Sequence, residues 1–554
     1  MIRSRLSLTK TTPLAARGLV TAEHPAGAEI GAAILARGGN AVDAAVATAF
    51  AMPVVEPFMS TIAGSGTMLV HLAKRDETVC LDFNGVAPMA AHASIYTLIG
   101  GIATYALFAW PRVEDDANVY GHRSVAVPGS VAGLALALER FGTMTLADVI
   151  APAVRLARDG FIADWYQALN TAKYLEEISA FPETARIHLR NGRSVYRPPS
   201  MEPGDRVKNP DLAASMALIA RDGPDAFYRG ALAQAIHNDM AANGGLVTKD
   251  DLAAYRPRVL APLRGRYRDL DLAFSPGATG GVTALEILNI LEQFGPSACG
   301  FGSAAGLHVR AEAVRRAFAD RFEHLGDPAM VDAPFDRLTT KDHAREVARD
   351  IRRGGSAGAA GRRRAASPTH DCTTHISVVD ENRNMVSLTH TAVSLWGSRV
   401  VVSGTGILLN IGMIWFDPEP GKPNSIAPGK RGMVNMVPVL GFKKGKPFLA
   451  LGAPGGRKIV AAIPQVLANL VDSKGSLQAA IDAPRLHHEG AGLEIDDRVG
   501  EKNLEGLRKR GHKVVEKTET YASLNFARPV GVRITAKGLE AGLDSFGAAA
   551  AAGI

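Results

Sequence analysis

The feature that most constrains this chain is a change of pattern at residue 373. Positions 376–379 (Ile-Ser-Val-Val) and 385–391 alternate apolar and polar side chains around Asp380-Glu381-Asn382, which is turn chemistry, so 376–391 is predicted to be a β-hairpin. Just upstream, residues 349–368 (RDIRRGGSAGAAGRRRAASP) have no apolar period, many Gly and Ala, and concentrated positive charge. Such a composition predicts a flexible tail rather than a packed element. A pair of hydroxyl residues, Thr373-Thr374, stands at the seam.

The two sides of that seam differ. Upstream, "AGAEIGAAILARGGNAVDAAVATAFAMPVVEP" predicts one amphipathic helix ending at Gly38-Gly39 and a second opening near Asn40 and stopping before Pro53. "TMLVHLAKRDETVCLDF" predicts two strands joined by a charged turn, and "PGSVAGLALALERFG" and "TLADVIAPAVRLARDG" two further helices closed by Gly. "SPGATGGVTALEILNILEQFG" and "HVRAEAVRRAFADRFEHLGDP" add two more. Downstream the pattern turns to strands at 376–391, 399–410, 433–442 and 447–451, with helices at 457–471 and 476–483. This divides the chain into two unequal blocks, 1–372 and 373–554.

Bulk properties exclude several classes. Of the 554 residues, 47% are apolar and 21% charged, enough for a large layered core. Much of the +7 net charge sits in Arg352, Arg353, Arg362, Arg363 and Arg364, without interleaved aromatics, so no nucleic-acid partner is expected. No run of about 18 apolar residues predicts a membrane span, and the N-terminal stretch lacks the apolar core of a secretory signal. A cytoplasmic location is the expectation. Cys80, Cys299 and Cys372 are far apart and odd in number, and the histidines show no ligand spacing, so neither a metal nor another cofactor is expected.

Two segments suggest chemistry. A Thr hydroxyl is a weak nucleophile without a base beside it. If the chain is cut before Thr373, the new α-amino group, with a reference pKa near 8, supplies that base. Thr373 simply opening a strand, as β-branched residues do, stays open on spacing alone. In "LGAPGGRK" (451–458), Gly455-Gly456 lies between a strand and a helix, where consecutive N–H groups can face an oxyanion; a tight turn needing positive φ explains it equally well.

Taken together, "GGNAVDAA", "VPGSVAG", "TTHISVVD", "GILLN", "GAPGG" and "APRLHH" resemble the γ-glutamyltranspeptidase family of N-terminal nucleophile hydrolases, over nearly the whole chain. The resemblance implies a four-layer αββα sandwich, made as one precursor that cuts itself between Cys372 and Thr373 into a heterodimer of its own two products. It implies Thr373 as nucleophile, Thr391 as the threonine that orients it, and Gly455 and Gly456 as the oxyanion hole. The substrate is then a small-molecule amide, with water or an amine as acceptor.

The departures from the family pattern fall in the acyl-binding positions. Where members that take glutathione carry an Arg in D-F-R-E, this chain has Asn84 in "DFNG". Val393 replaces an Asn, Trp415 an Asp that binds the glutamyl α-amino group, and Val434-Asn435 a Ser-Ser pair. Each lost charge-assisted bond is worth roughly 1.5–3 kcal/mol. The expected activity is that of a self-processing amidohydrolase or acyltransferase on a non-glutamyl acyl amide, such as a glutaryl or small acyl amide. The alternative is a γ-glutamyltransferase or glutathione hydrolase that holds glutamate with other residues, Arg399 or Arg431 among them.

Overall fold

In the computed structural model, which describes residues 8–12, 14–103, 110–354, 372–523 and 525–554, two seven-stranded sheets form the centre. Their strands, in chain order, are β1 (Leu14–Ala15), β2 (Leu19–Ala22), β3 (Ser65–Leu72), β4 (Glu77–Phe83), β5 (Arg258–Leu260), β6 (Leu263–Tyr267) and β7 (Leu270–Phe274). They continue with β8 (Thr374–Val379), β9 (Met385–Thr391), β10 (Val439–Lys443), β11 (Lys446–Gly452), β12 (Val530–Thr535), β13 (Gly538–Leu543) and β14 (Ala550–Gly553). One sheet runs β1-β13-β12-β11-β10-β7-β6, the other β14-β2-β8-β9-β3-β4-β5, and every neighbouring pair is antiparallel.

The period of two in the strands sets the layers. Leu19, Leu69, Val379 and Met385 meet Leu440, Ala450 and Val532 in the core between the sheets. Their neighbours Val20, Met68, Val70, Ile376, Val378, Val386 and Leu388 point the other way, onto helices α1 (Pro25–Ala36) and α2 (Ala41–Val55). On the outer face of the first sheet, Leu272, Phe274, Val439, Leu449 and Leu451 pack under α3 (Gly280–Glu292), α4 (Ala304–His324) and α5 (Lys458–Ser473). The order is helix, sheet, sheet, helix. The fold class read from the family resemblance is the one observed.

Local chemistry explains much of this. In "GGNAVDAA", Asn40 caps α2 in a reciprocal box with Asp43, and the Asp43 carboxylate also accepts from the Thr143 and Met144 backbone N–H groups. Four boundaries differ from the expectations. Helix α2 continues through Pro53 to Val55, because a proline near a helix end forfeits a single backbone bond while its neighbours stay buried. Residues 349–352 are the last turn of a helix (Lys341–Arg352) held by buried Val347, Ala348 and Ile351, while 355–368 lie outside the described residues. The stretch 399–410 forms a pair of two-residue strands, and 433–442 is strand only from Val439 onward. Each of the two seven-stranded sheets mixes strands from both blocks, so neither block builds one of them alone.

Candidate active site

Thr373 precedes the first residue of β8 and Thr391 ends β9, and in this hairpin Thr374 pairs with His390. Odd-numbered residues of both strands face the other sheet, which brings Thr373, His375, Ser377, Ser387, Thr389 and Thr391 onto one buried polar strip. His375 Nδ1 lies 2.9 Å from Thr389 Oγ1 and its Nε2 3.1 Å from Ser377 Oγ, while Ser387 Oγ donates to Leu451 O (2.9 Å) across the sheets. Burial pushes the His375 imidazole down to about 3, so it is neutral and serves as a strut.

The two threonines meet. Thr373 Oγ1 donates toward Thr391 Oγ1 at 3.4 Å and also contacts the carbonyl oxygen of Cys372, the residue before it. Thr391 Oγ1 accepts from Val393 N–H (2.8 Å) and donates to the same Cys372 carbonyl (3.3 Å). A hydroxyl, a second hydroxyl and the Cys372–Thr373 carbonyl therefore form one cluster, with Thr373 3% and Thr391 1% exposed. The Cys372 thiol donates to Met59 O (2.9 Å) and also lies 3.8 Å from Thr391 Oγ1.

The glycine turn follows β11. Gly452 lies against the imidazole of His375 so closely that a Cβ would stand 2.1 Å from Cε1. Beyond it, Gly455 (φ 131°) and Gly456 (φ 51°) adopt conformations that L side chains rarely take, and the carbonyls of both cap the start of α5. Ala527 covers Gly455, and Arg528 N–H donates to Pro454 O (3.0 Å), which pins the turn.

The residues singled out for acyl binding fall into two groups. Val393 and Trp415 share one apolar cluster with Ile411, Ile414 and Val434, and Val393 is held at φ 84°, a conformation a β-branched residue takes only under constraint. Asn84 lies two strands from Thr391: its amide donates to Asp82 Oδ1 (2.7 Å) and Thr67 Oγ1 (3.1 Å), and its buried Oδ1 has no hydrogen-bond partner among the described residues. Asn435 Oδ1 accepts from Arg321 (3.1 Å), and its buried Nδ2 likewise has no partner among the described residues.

Sequence reasoning missed three supports. Arg321 is fully buried and donates to Thr279 O and Val434 O as well as Asn435, fixing the 434–435 segment; burial pushes its guanidinium down to about 9. Asn410, in "GILLN", accepts from Ala126 and Gly412 N–H and donates to Ala63 O and Ala126 O. Glu56, buried at the end of α2, reaches Thr374 Oγ1 (3.5 Å), and burial holds its carboxyl well above the usual range. Asn410 in "GILLN" and Arg321 in "AEAVRRAFADRFEHLGDP" lie in motifs of the family resemblance that could have flagged them.

Residues 27–554 match the family model described as gamma-glutamyltranspeptidase. The chain belongs to that family. It is 39% identical over 514 residues to an "Acylase ACY 1 proenzyme" of Pseudomonas sp. (strain SE83), covering 92% of this chain and 89% of the relative. It is 35% identical over 519 residues to a "Glutathione hydrolase proenzyme" of Escherichia coli (strain K12), covering 91% and 87%. Among solved structures, a cephalosporin acylase from Bacillus halodurans superposes with a TM-score of 0.85 at 26% identity, over 100% of this chain and 98% of that one. Membership of the gamma-glutamyltranspeptidase family makes this chain an enzyme of amide bonds, a hydrolase or acyltransferase of the N-terminal nucleophile type. No helix among the described residues is long and apolar enough to cross a membrane.

Proposed function

We propose that the chain is a proenzyme that cleaves itself between Cys372 and Thr373, and that the freed Thr373 then attacks an amide whose acyl group is not an ordinary glutamyl. The contact of Thr373 Oγ1 with the Cys372 carbonyl, with Thr391 beside both, carries this reading. In self-cleavage, Thr373 Oγ1 attacks that carbonyl, the C–N bond breaks as the acyl group moves to oxygen, and water hydrolyses the ester. Thr391, held by Val393 N–H, donates to the oxygen of the attacked carbonyl as it takes up charge. In turnover the new α-amine of Thr373 takes the hydroxyl proton and passes it to the leaving amine. The Gly455-Gly456 turn is proposed to receive the oxyanion.

The acyl side supports a non-glutamyl substrate. Asn84 carries no charge for an α-carboxylate, and Val393 and Trp415 present apolar surface where an α-ammonium would have to sit. A charge left unpaired there is desolvated without compensation. Arg431, one candidate for a replacement clamp, is engaged with Asp82 (3.3 Å) and Arg256 O (3.0 Å). The second reading, a glutamyl substrate, draws on the unpartnered Asn84 Oδ1 and Asn435 Nδ2, an acceptor and a donor that a zwitterionic head could use.

One comparison separates the two readings: kcat/KM for a γ-glutamyl amide and a glutaryl amide of the same amine. The glutaryl amide is expected to win by at least about tenfold, some 1.4 kcal/mol. A win for the glutamyl amide replaces this proposal with the second reading.

A further inference from the structure

Two buried arginines, Arg399 and Arg528, keep one hydrogen bond and no ion pair among the described residues, and Arg399 is the one near Cys372. Its side chain is 2% exposed, yet among the described residues its guanidinium makes one hydrogen bond, from Nη1 to Gly397 O (2.7 Å), and Nε has no partner. No carboxylate of the described residues lies within ion-pair distance of it. The guanidinium carbon sits 4.6 Å from the ring centre of Tyr120 and 5.4 Å from that of Tyr174. By contrast, buried Arg485 pairs with Asp544 at 2.7 Å, and Arg321 makes three hydrogen bonds. The charge of Glu177 reaches Arg399 from beyond ion-pair distance, and two aromatic faces and one carbonyl are otherwise what replaces the water removed from the guanidinium. The backbone here is also strained: Arg399 has φ 64°, Trp396 63° and Val393 84°. Such conformations persist where the surroundings enforce them, and they cluster at ligand sites.

The position of Arg399 gives the unmatched charge a purpose. Tyr174 packs in one apolar cluster with Cys372, Met59, Ala392 and Trp396, and Tyr120 packs against the cluster of Val393 and Trp415. The guanidinium between the two rings thus lies where the surroundings of Cys372 meet those of Val393. In self-cleavage, Cys372 is the acyl group carried on Thr373 Oγ1. In turnover, the substrate's acyl group is carried on the same oxygen, so the side chains around Cys372 also surround the acyl group of a substrate.

We propose that Arg399 receives a carboxylate at the far end of the acyl group, so that the substrates are mono-amides of dicarboxylic acids. The proposal rests on Thr373 being the nucleophile. A carboxylate would supply the missing counter-ion, and the planar fork of the guanidinium suits two parallel hydrogen bonds. The chemistry is otherwise unchanged: the amide C–N bond breaks, the ester to Thr373 Oγ1 forms, and water releases the dicarboxylic acid.

The test compares glutaryl and pentanoyl 4-nitroanilides, which have the same chain length and differ in the terminal carboxylate, with wild type, Arg399→Lys and Arg399→Gln. Wild type is expected to prefer the glutaryl anilide, and Arg399→Gln to lower the glutaryl-to-pentanoyl ratio of kcat/KM by at least about thirtyfold, with Arg399→Lys between them. An unchanged ratio overturns the proposal. Should Arg399→Gln fail to fold, wild type alone decides: glutarate must inhibit at least about tenfold more tightly than neutral glutaramide, and equal inhibition overturns the role of Arg399. Failure of the Thr373 reading looks different, with an uncut chain and no turnover of either anilide.

Discussion

Thr391 is held from two sides, accepting from Val393 N–H and donating to the Cys372 carbonyl, with Thr373 Oγ1 3.4 Å away. Replacing it with alanine removes the oxygen proposed to orient the nucleophile but little buried volume. Thr391→Ala is expected to lower kcat by about ten- to a thousandfold, the range for a supporting catalytic group, and to leave the thermal transition within a few degrees of wild type. Unchanged kinetics in the processed protein would remove Thr391 from the mechanism. At this scale the sequence was legible for the threonine pair, because a motif of short-range neighbours folds into a hairpin that preserves its register. It offered Arg399 only as an alternative clamp for glutamate and gave Arg321 no role, because these roles come from partners more than 100 residues away or, among the described residues, from the absence of an ion-pair partner. Composition and spacing record neither.

The hairpin and the strand–glycine–helix unit come together through Gly452. Any side chain there would enter the His375 ring, since a Cβ would stand 2.1 Å from Cε1 and 2.4 Å from Nδ1. Gly452→Ala should force the two sheets apart at their strand ends, where the nucleophile and the glycine turn begin. A loss of about 1–3 kcal/mol in a urea titration is expected, the usual result of overpacking a filled core, together with lower turnover. Wild-type stability and activity in this variant would show that the sheets do not meet there. Elements with a strong period, such as β3, β4 and α4, were readable from the sequence because one face of each is apolar. The segments 399–410 and 433–438 misled for a physical reason: apart from exposed Ser403 and Gly404 they are buried, so their apolar runs reflect depth rather than strand periodicity. Sequence alone also assigned 349–352 to a tail, although Val347 and Ile351 anchor a helix that runs to Arg352.

Across the whole molecule, the strand order decides what a cut at 372–373 can do. β2, from the first block, lies between β8 and β14, both from the second, and β11 of the second block is joined through β10 to β7 of the first. Cutting one peptide bond leaves these hydrogen-bonded ladders intact. Denaturing electrophoresis of purified protein is expected to show two chains, residues 1–372 and 373–554, while gel filtration without denaturant shows them eluting together. Thr373→Ala is expected to remain one chain of 58.4 kDa. A single chain from wild type under conditions that permit turnover would contradict the cleavage site.

The insertion of β2 between two strands of the other chain has a consequence for durability. While the chain is continuous, unfolding is unimolecular and β2 stays tethered to the strands it must rejoin. After the cut, the same insertion has to be rebuilt by two molecules that can diffuse apart and aggregate. If the chain is cut as proposed, maturation exchanges a reversible equilibrium for a kinetic lifetime. The cut form then lasts as long as its strands stay together, and once parted they have no short path back.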